Sequence, residues 1–511
     1  MATIGVLSLL VLGLGFAVQV VLAAALGAGS QMDMFLVAIA LPALITNVAL
    51  SALSLSLVPI FRETIMLGST GSAWVLARRL IIKMSPFFVF MVVILVIAAE
   101  PIVRILAPGF DAAAVNTITA LLRVMSLAAL IDLYRALLGS FYYAQDRFFL
   151  PQVAPIFNHV AMIVSALLLL QRLGLEGLAI GWLAGSVLMI LVLALGLLRS
   201  KGPTDEKVEV GTGLAGLAAS LWPAVVIALV NQVIPVIDRA VATTLPQGSV
   251  SYLGYGIKLL EISLRTAPMA VVLAAFPRMS GLFSAGDRDG LQREVTSTVR
   301  WILLAMVPLT VLITSLKLPL VRMLFERGAF DRGASEGVAT AVGWYGLALV
   351  PASIVYLVIH VMFAVGRPRP IAMIGAASVI ATIGLDYLFS RAWGFRGIAV
   401  VYVLVASLWA LGGAQILARS KERITFFPGT AWVGKIAFAA GVSLVAVMAT
   451  TAFLHPRELG RLRDEVVVAA GAISGAISYL GVLWLSDLPE LVLIRARLRS
   501  AVTEWTSGAS A

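Results

Sequence analysis

The sequence predicts an all-α polytopic membrane protein with about 14 transmembrane helices. Of its 511 residues, 61% are apolar and only 12% are charged, a balance that soluble domains do not show. Many apolar runs exceed the roughly 18 residues that mark a membrane-spanning helix. The runs are continuous and do not alternate, which excludes a membrane β-barrel. We expect two parallel six-helix lobes followed by two C-terminal helices.

Short connections join most of the spans, so consecutive spans are expected to run antiparallel. The first span has no basic stretch before it and is long for a signal peptide, so we interpret it as an uncleaved helix. The predicted spans cover residues 4–27, 33–61, 84–103, 117–144, 153–171, 177–198, 214–245, 249–277, 299–318, 337–365, 371–389, 396–418, 432–453 and 466–486.

The charge distribution predicts an orientation in the bacterial cytoplasmic (inner) membrane. The net charge of +11 favours contacts with anionic membrane lipids over nucleic acid. With the connections assigned alternately to two sides, twenty Lys and Arg lie on the side of the N-terminus and eleven on the other. The positive-inside rule therefore places both termini in the cytoplasm. Residues 62–83 and 278–300 are interpreted as short basic connectors. No cysteine is present and the three histidines are scattered, so neither a metal site nor a cofactor is expected.

An internal repeat divides the chain. Val103-Arg104-Ile105-Leu106 recurs as Val321-Arg322-Met323-Leu324, and Gly177-Leu178-Ala179 recurs at almost the same offset as Gly397-Ile398-Ala399. An even number of spans per unit gives both halves the same orientation, so an axis along the membrane normal should relate them. The predicted boundaries are an N-terminal lobe at 1–200, a cytoplasmic linker at 201–213, a second lobe at 214–420, and two further helices with a cytoplasmic tail at 421–511.

The eighth span carries the strongest candidate site. Lys258, Glu261 and Arg265 fall within about 60° of arc on the helix, and Tyr255 lies on the same stripe. Lys258 lies about 14 Å from the start of the span, near the middle of the bilayer. Because a charge there is costly, these side chains should face a partner or a wet cavity. One interpretation is a structural ion network between helices; we favour a site for an anionic ligand.

Other charged residues within the spans are open to two interpretations. Asp238 and Arg239 in span seven form either an ion pair between helices or part of the site. Asp132 and Arg135, three residues apart, are expected to pair with each other. Asp386 is interpreted as a lone acid whose side chain reaches for the membrane surface, with a coupling site as the alternative.

Four stretches resemble the MurJ/MviN lipid II flippases, which are members of the multidrug/oligosaccharidyl-lipid/polysaccharide exporter superfamily. The resemblance covers essentially the whole chain and implies alternating access between two lobes, with the last two helices forming a groove for a polyprenyl tail. It adds Asp33 to the candidate substrate-binding residues. The stretches are Leu26-Gly27-Ala28-Gly29 with Asp33 and Leu41-Pro42; Ala107-Pro108-Gly109-Phe110; Gly248-Ser249-Val250-Ser251 with Tyr255, Lys258 and Glu261; and Leu324-Phe325-Glu326-Arg327-Gly328-Ala329-Phe330.

The chain departs from this family at charged positions. Val18 and Gln19 stand where the family usually has an Arg-Asp pair, and a second family arginine falls at or near Thr46. Of the usual three cations only the one on span eight remains, as Lys258. Lysine keeps the charge but lacks the fork that fits a pyrophosphate in two places. Arg265, Arg239 or Arg135 is expected to compensate.

The predicted function is a flippase for an undecaprenyl-pyrophosphate-linked saccharide, with lipid II first. It is not an enzyme, since no nucleotide loop or nucleophile motif occurs. The alternatives are a flippase for another polyprenyl-linked glycan (exopolysaccharide, O-antigen or capsule unit), a drug or cation antiporter, a membrane glycosyltransferase or polymerase, and a non-transporting scaffold. Partners beyond the lipid-linked saccharide and membrane lipids would be the cell-wall or polysaccharide synthesis machinery.

Overall fold

The computed structural model describes residues 2–68, 70–198, 214–454, 463–486 and 488–490, and within them the chain is helical with no strand. The predicted linker at 201–213 and the end of the tail lie outside these residues. In chain order the helices are α1 (Ala2–Leu26), α2 (Ser30–Leu67), α3 (Thr70–Ile97), α4 (Ala99–Leu106), α5 (Ala112–Ala144), α6 (Phe149–Leu168), α7 (Leu170–Leu173), α8 (Leu175–Leu198), α9 (Leu214–Ala242), α10 (Ser249–Ser284), α11 (Arg288–Ser315), α12 (Lys317–Phe325), α13 (Arg332–Leu347), α14 (Leu349–Ala364), α15 (Pro368–Trp393), α16 (Phe395–Arg419), α17 (Thr430–Leu454) and α18 (Arg463–Leu485).

The predicted spans agree with these helices. Within the described residues, twelve helices are long and apolar enough to cross a membrane, and α13 with α14 forms one further span that is bent by 46°. Span seven corresponds to α9, whose 29 residues are also long enough to cross. The prediction of an all-α membrane protein with about 14 transmembrane helices is therefore confirmed.

The two basic connectors were predicted wrongly as loops. Helix α2 continues to Leu67 and α3 begins at Thr70, while α10 continues to Ser284 and α11 begins at Arg288. Arginine and lysine are good helix formers, so the drop in hydropathy marks where a helix leaves the hydrocarbon and not where it ends. These segments are helical hairpins that project beyond the apolar layer.

The internal repeat is visible in the backbone. Gly174 and its repeat partner Gly394 both have φ of 60°, and each ends a helix just before the next one begins. Asp146 and Gly366, which are related by the same offset, have φ of 57° and 68°. A left-handed residue is uncommon outside glycine, so its recurrence at the same spacing is a structural repeat. We infer that the two halves share their turns as well as their helices.

The chain forms two compact units that do not follow the repeat boundaries. One contains α1–α9, the start of α10 as far as Tyr255, the segment Phe325–Gly337, and Ile371–Val401 from α15 and α16. The other contains α10 from Gly256, α11, most of α12–α14, the rest of α16, and the last two helices. The lobes at 1–200 and 214–420 stay a prediction.

In the second unit, a polar cluster attaches the last two helices to α11. Arg300 on α11 bonds to the Glu490 carboxylate at 3.1 Å and to the Pro428 carbonyl at 3.0 Å. The indole of Trp432, at the start of α17, donates to the other Glu490 oxygen at 3.2 Å. Farther along, the Ser443 hydroxyl donates to the Gly475 carbonyl at 2.9 Å, where α17 and α18 approach closely. The added pair is thus a fixed part of its unit.

Candidate functional site

The Asp33 carboxylate lies at the start of another helix. It is only 2% exposed, and it accepts hydrogen bonds from the Gly248 and Ser251 backbone amides, both at 2.7 Å. The Ser251 hydroxyl donates to the same carboxylate. These donors belong to the first turn of α10, where backbone amides have no partner inside the helix. A carboxylate there is favoured by the helix dipole as well as by the hydrogen bonds. The structure therefore joins α2 to α10 through Asp33.

Tyr255 is buried one turn further along α10. Its hydroxyl donates to the Gly27 carbonyl at 3.1 Å, and its side chain is fully buried. The ring packs edge-on against Phe330, with centroids 5.5 Å apart, and at a tilt against Phe325 at 5.2 Å. The sequence placed Tyr255 and Asp33 among the substrate-binding residues. In the structure both lie inside a closed cluster at this end of α10.

Two repeat-related glycines cross this closed end. The Ala329 amide donates to the Ala24 carbonyl at 2.8 Å, and a Cβ on Gly328 would overlap that same oxygen. A Cβ on Gly109 would overlap the Thr243 carbonyl oxygen. The two glycines are related by the same offset in the chain as the two acceptors. Each half thus presses a glycine onto the end of the first helix of the other half. Sequence reasoning quoted both glycines but assigned them no role.

We expect Gly328→Ala and Gly109→Ala each to destabilise the closed cluster. The added methyl meets a backbone oxygen that cannot rotate away, and alanine at the Gly328 φ of 61° is also strained. Each change should lower the unfolding free energy by about 1–3 kcal/mol, measured by thermal denaturation in detergent. Gly281→Ala on α10 is the control, since nothing lies within 4 Å of its Cβ position. Equal stability of all three variants would contradict the tight crossing.

Asp238 and Asp386 form a carboxyl pair between α9 and α15. The Asp386 side chain is fully buried, and within the described residues neither of its oxygens receives a hydrogen bond from a conventional donor. Its carboxyl group instead lies within hydrogen-bond distance of the Asp238 carboxyl. Two bare carboxylates in contact would repel, so the pair has to share a proton or hold a cation. The interpretation of Asp386 as a lone acid reaching for the surface is wrong, because α9 supplies a partner distant in sequence.

Arg239 points to a different helix from its neighbour Asp238. Its guanidinium donates to the Leu36 carbonyl on α2 at 3.0 Å, besides its electrostatic attraction to Asp238. Of the two interpretations offered by the sequence, a contact between helices therefore describes Arg239. A role for either residue in substrate binding stays a prediction.

Asp386→Asn is expected to stabilise the protein. The amide donates a hydrogen bond to Asp238 without needing a shared proton, so the melting temperature in detergent should rise, by the equivalent of about 1 kcal/mol. Asp132→Asn is the matched control. Asp132 is equally buried but pairs with Arg135 at 2.9 Å, so losing its charge should lower the melting temperature. A fall for Asp386→Asn as large as for the control would show that the native pair needs both carboxyl groups.

The charged stripe of α10 continues into the second unit. Lys258 and Glu261 form an ion pair at 2.9 Å, with side chains 35% and 39% exposed. This pair lies within one helix, three residues apart, so it does not itself connect helices. Arg265, one turn further, is exposed. The stripe is thus open, as the sequence predicts for a site, whereas the cluster around Asp33 is closed.

The remaining polar groups of the spans are mostly paired. Asp132 bonds to Arg135 at 2.9 Å and accepts from Ser186 at 3.4 Å, which confirms the predicted internal pair. Near the position of a missing family arginine, the Asn47 amide donates to Gln232 at 3.1 Å and bridges α2 to α9. Neutral amides therefore occupy a region where the resemblance implied charge.

The comparison with known families is decisive. A family profile described as lipid II flippase MurJ matches residues 22–458. The chain belongs to the MurJ family. A MurJ protein of Burkholderia cenocepacia is 24% identical over 500 residues, covering 92% of this chain and 93% of that protein. A probable MurJ of Rhizobium tropici is 26% identical over 347 residues, so the match covers 66% of this chain and 64% of that protein.

The fold agrees with the same family. A solved structure of a lipid II flippase MurJ in an inward closed conformation superposes with a TM-score of 0.79 at 17% identity, covering 95% of this chain and 98% of that one. This likeness confirms the fold predicted from the sequence. MurJ membership leaves open which residues bind substrate, because the substitutions at Val18, Gln19 and Thr46 alter this chain's charges.

Proposed function

We propose that this MurJ-family protein flips an undecaprenyl-pyrophosphate-linked saccharide, lipid II, across the bacterial cytoplasmic membrane. Family membership supports this, and so does the lack of a motif for catalysis, since a flippase makes and breaks no covalent bond in its substrate. The observation on this chain that carries the proposal is the open stripe on α10, where Lys258, Glu261 and Arg265 lie on a span of otherwise apolar character. A charged stripe at this depth needs water or a polar ligand beside it.

The closed cluster gives the transport cycle one of its two states. Alternating access requires that one side of the site be shut while the other is open. The Asp33 bonds to α10, the buried Tyr255 and the two crossing glycines support closure at the end where α2 and α10 begin. In the proposed orientation that end is periplasmic, so the substrate would enter from the cytoplasmic side. Opening then requires the α10 amides to exchange Asp33 for water.

The proposed orientation predicts where the linker and tail lie. Cysteines introduced at Thr204 and Ser510, both outside the described residues, should resist a membrane-impermeant thiol reagent in intact cells. The native chain has no cysteine, so any label reports the new residue alone. A cysteine at Glu176, which is exposed at the start of α8, serves as the positive control. Labelling of Thr204 and Ser510 with no labelling of Glu176 would reverse the orientation.

The function is tested by complementation. Cells depleted of their own essential lipid II flippase should resume growth when they express this chain. A flippase for another polyprenyl-linked glycan is the second candidate, favoured by the neutral Gln19, Asn47 and Thr46 in a region where the family carries charge. Failure to restore growth, despite folded protein in the membrane, would favour that candidate. Restored growth would decide for lipid II.

A cation-coupled antiporter of the same superfamily is a weaker candidate, for which only the buried Asp238–Asp386 pair speaks. Its test is separate from growth. Proteoliposomes of this chain would show no proton uptake or release in response to lipophilic cationic drugs if the flippase proposal holds. We also propose that any further partners belong to the cell-wall synthesis machinery that makes and uses the lipid-linked precursor.

A further inference from the structure

The cations on α10 differ in how they are paired. The Lys258 ammonium is 2.9 Å from the Glu261 carboxylate. Arg265 is exposed, and within the described residues it has neither an ion pair nor a hydrogen bond through its side chain. It begins about 24 Å along the helix, well inside the apolar layer. The stripe therefore holds one internally neutral pair and one arginine whose charge is not compensated.

The other arginines that the sequence offered as compensating cations are engaged. Arg135 is held by Asp132 at 2.9 Å. Arg239 donates to the Leu36 carbonyl at 3.0 Å. Arg123, a further arginine inside a span, donates to the Val96 carbonyl at 3.3 Å. An arginine that faced lipid without a partner would be costly, so Arg265 is best satisfied by water and by an anion.

Glu261 lies where it can neutralise either cation. It follows Lys258 by three residues and precedes Arg265 by four, and both spacings bring side chains together on a helix. In the structure it takes Lys258. Were it to take Arg265 instead, the guanidinium would lose its capacity for a ligand. Lys258 thus acts on Arg265 through the position of Glu261.

We propose that Arg265 is the side chain that binds the diphosphate of the lipid-linked saccharide, and that Lys258 is a positioning residue which keeps Glu261 away from it. This inference rests on the proposed function. The planar guanidinium donates two parallel hydrogen bonds to phosphate oxygens, which a lysine cannot do. The fork missing at position 258 is therefore supplied two turns further along the same stripe.

The test measures binding of undecaprenyl diphosphate to the purified full-length protein in nanodiscs, with uncharged undecaprenol as the reference lipid. The native protein should prefer the diphosphate. Arg265→Gln should weaken diphosphate binding by about tenfold or more, the value of a lost charge-assisted bond, and leave undecaprenol unaffected. Arg123→Gln is the matched control, an exposed arginine in a span with a partner of its own, and should bind as the native protein does.

A double variant separates the two roles of Lys258. Lys258→Ala alone should weaken binding, because Glu261 is then free to pair with Arg265. Lys258→Ala combined with Glu261→Gln should restore binding to within about threefold of native, because no carboxylate is left to compete. Glu261→Gln alone should bind the diphosphate more tightly than the native protein. Folded yield and melting temperature are measured for every variant.

Each contrary outcome has its own meaning. If the double variant stays as weak as Lys258→Ala, or if Arg265→Gln binds like the native protein, Lys258 contacts the diphosphate directly and this inference is overturned while the proposed function stands. If the native protein does not prefer the diphosphate over undecaprenol, the proposed function fails and the inference fails with it.

Discussion

Replacing Asp33 with alanine is expected to open the closed end of the protein and to stop transport. The change removes the acceptor of two backbone bonds and one hydroxyl bond at the start of α10. Hydrogen bonds to a charged group are worth about 1.5–3 kcal/mol each when their partners are left buried. Losing the group shifts the balance between closed and open states by well over tenfold. Asp33→Asn, which keeps an acceptor oxygen without the charge, should be milder.

The opening can be measured by labelling. Met32, next to Asp33, is 1% exposed, so a cysteine there should be shielded from an impermeant thiol reagent in otherwise native protein. In the Asp33→Ala background the same cysteine should label at least tenfold faster. Asp111→Ala is the control, since Asp111 also accepts from a helix amide, at 2.8 Å, but caps its own helix α5. That change should cost about 1 kcal/mol and leave labelling of residue 32 unchanged. Equal labelling rates with and without Asp33 would refute the role of this carboxylate in closure.

Hydropathy was sufficient to predict the helices, because a bilayer requires long apolar runs whatever their packing. It was not sufficient to predict the length of α3, whose first turns from Thr70 onward carry basic residues beyond the hydrocarbon. The pairing of Asp386 with Asp238 was also missed. Nothing in a sequence pattern reports which residues meet across helices that lie far apart in the chain.

The repeat contained one signal that could have found the closed cluster. Asp33 and Ser251 are separated in the chain by the same offset as the recurring Val-Arg motif. Residues related by a two-fold axis meet only near that axis, so a contact between repeat partners places both of them there. The two glycines at 109 and 328 carry the same information. The stripe on α10, in contrast, was readable from one helix alone, because a charge inside an apolar span is conspicuous and its neighbours on the face follow from the helical period.

Replacing Lys258 with alanine is expected to abolish transport while the protein still folds. The structure bears on the folding part, since both partners of the Lys258–Glu261 pair are more than a third exposed. An exposed pair of this kind contributes about 0–1 kcal/mol to stability, far less than the roughly 3–5 kcal/mol that breaking a buried pair costs. Yield and melting temperature should therefore stay near native. Growth of flippase-depleted cells should be lost, because the stripe no longer offers its full charge to the diphosphate.

Lys258→Arg is the companion variant. It keeps the charge and the reach to Glu261 and adds a fork, so it should support growth as well as the native residue does or better. The contrast between alanine and arginine separates a need for charge from a need for lysine itself. A Lys258→Ala protein that folds and still supports growth would exclude the α10 stripe as the anion site. A Lys258→Ala protein that fails to accumulate would instead make the ion pair a structural contact, against the exposure that the structure gives it.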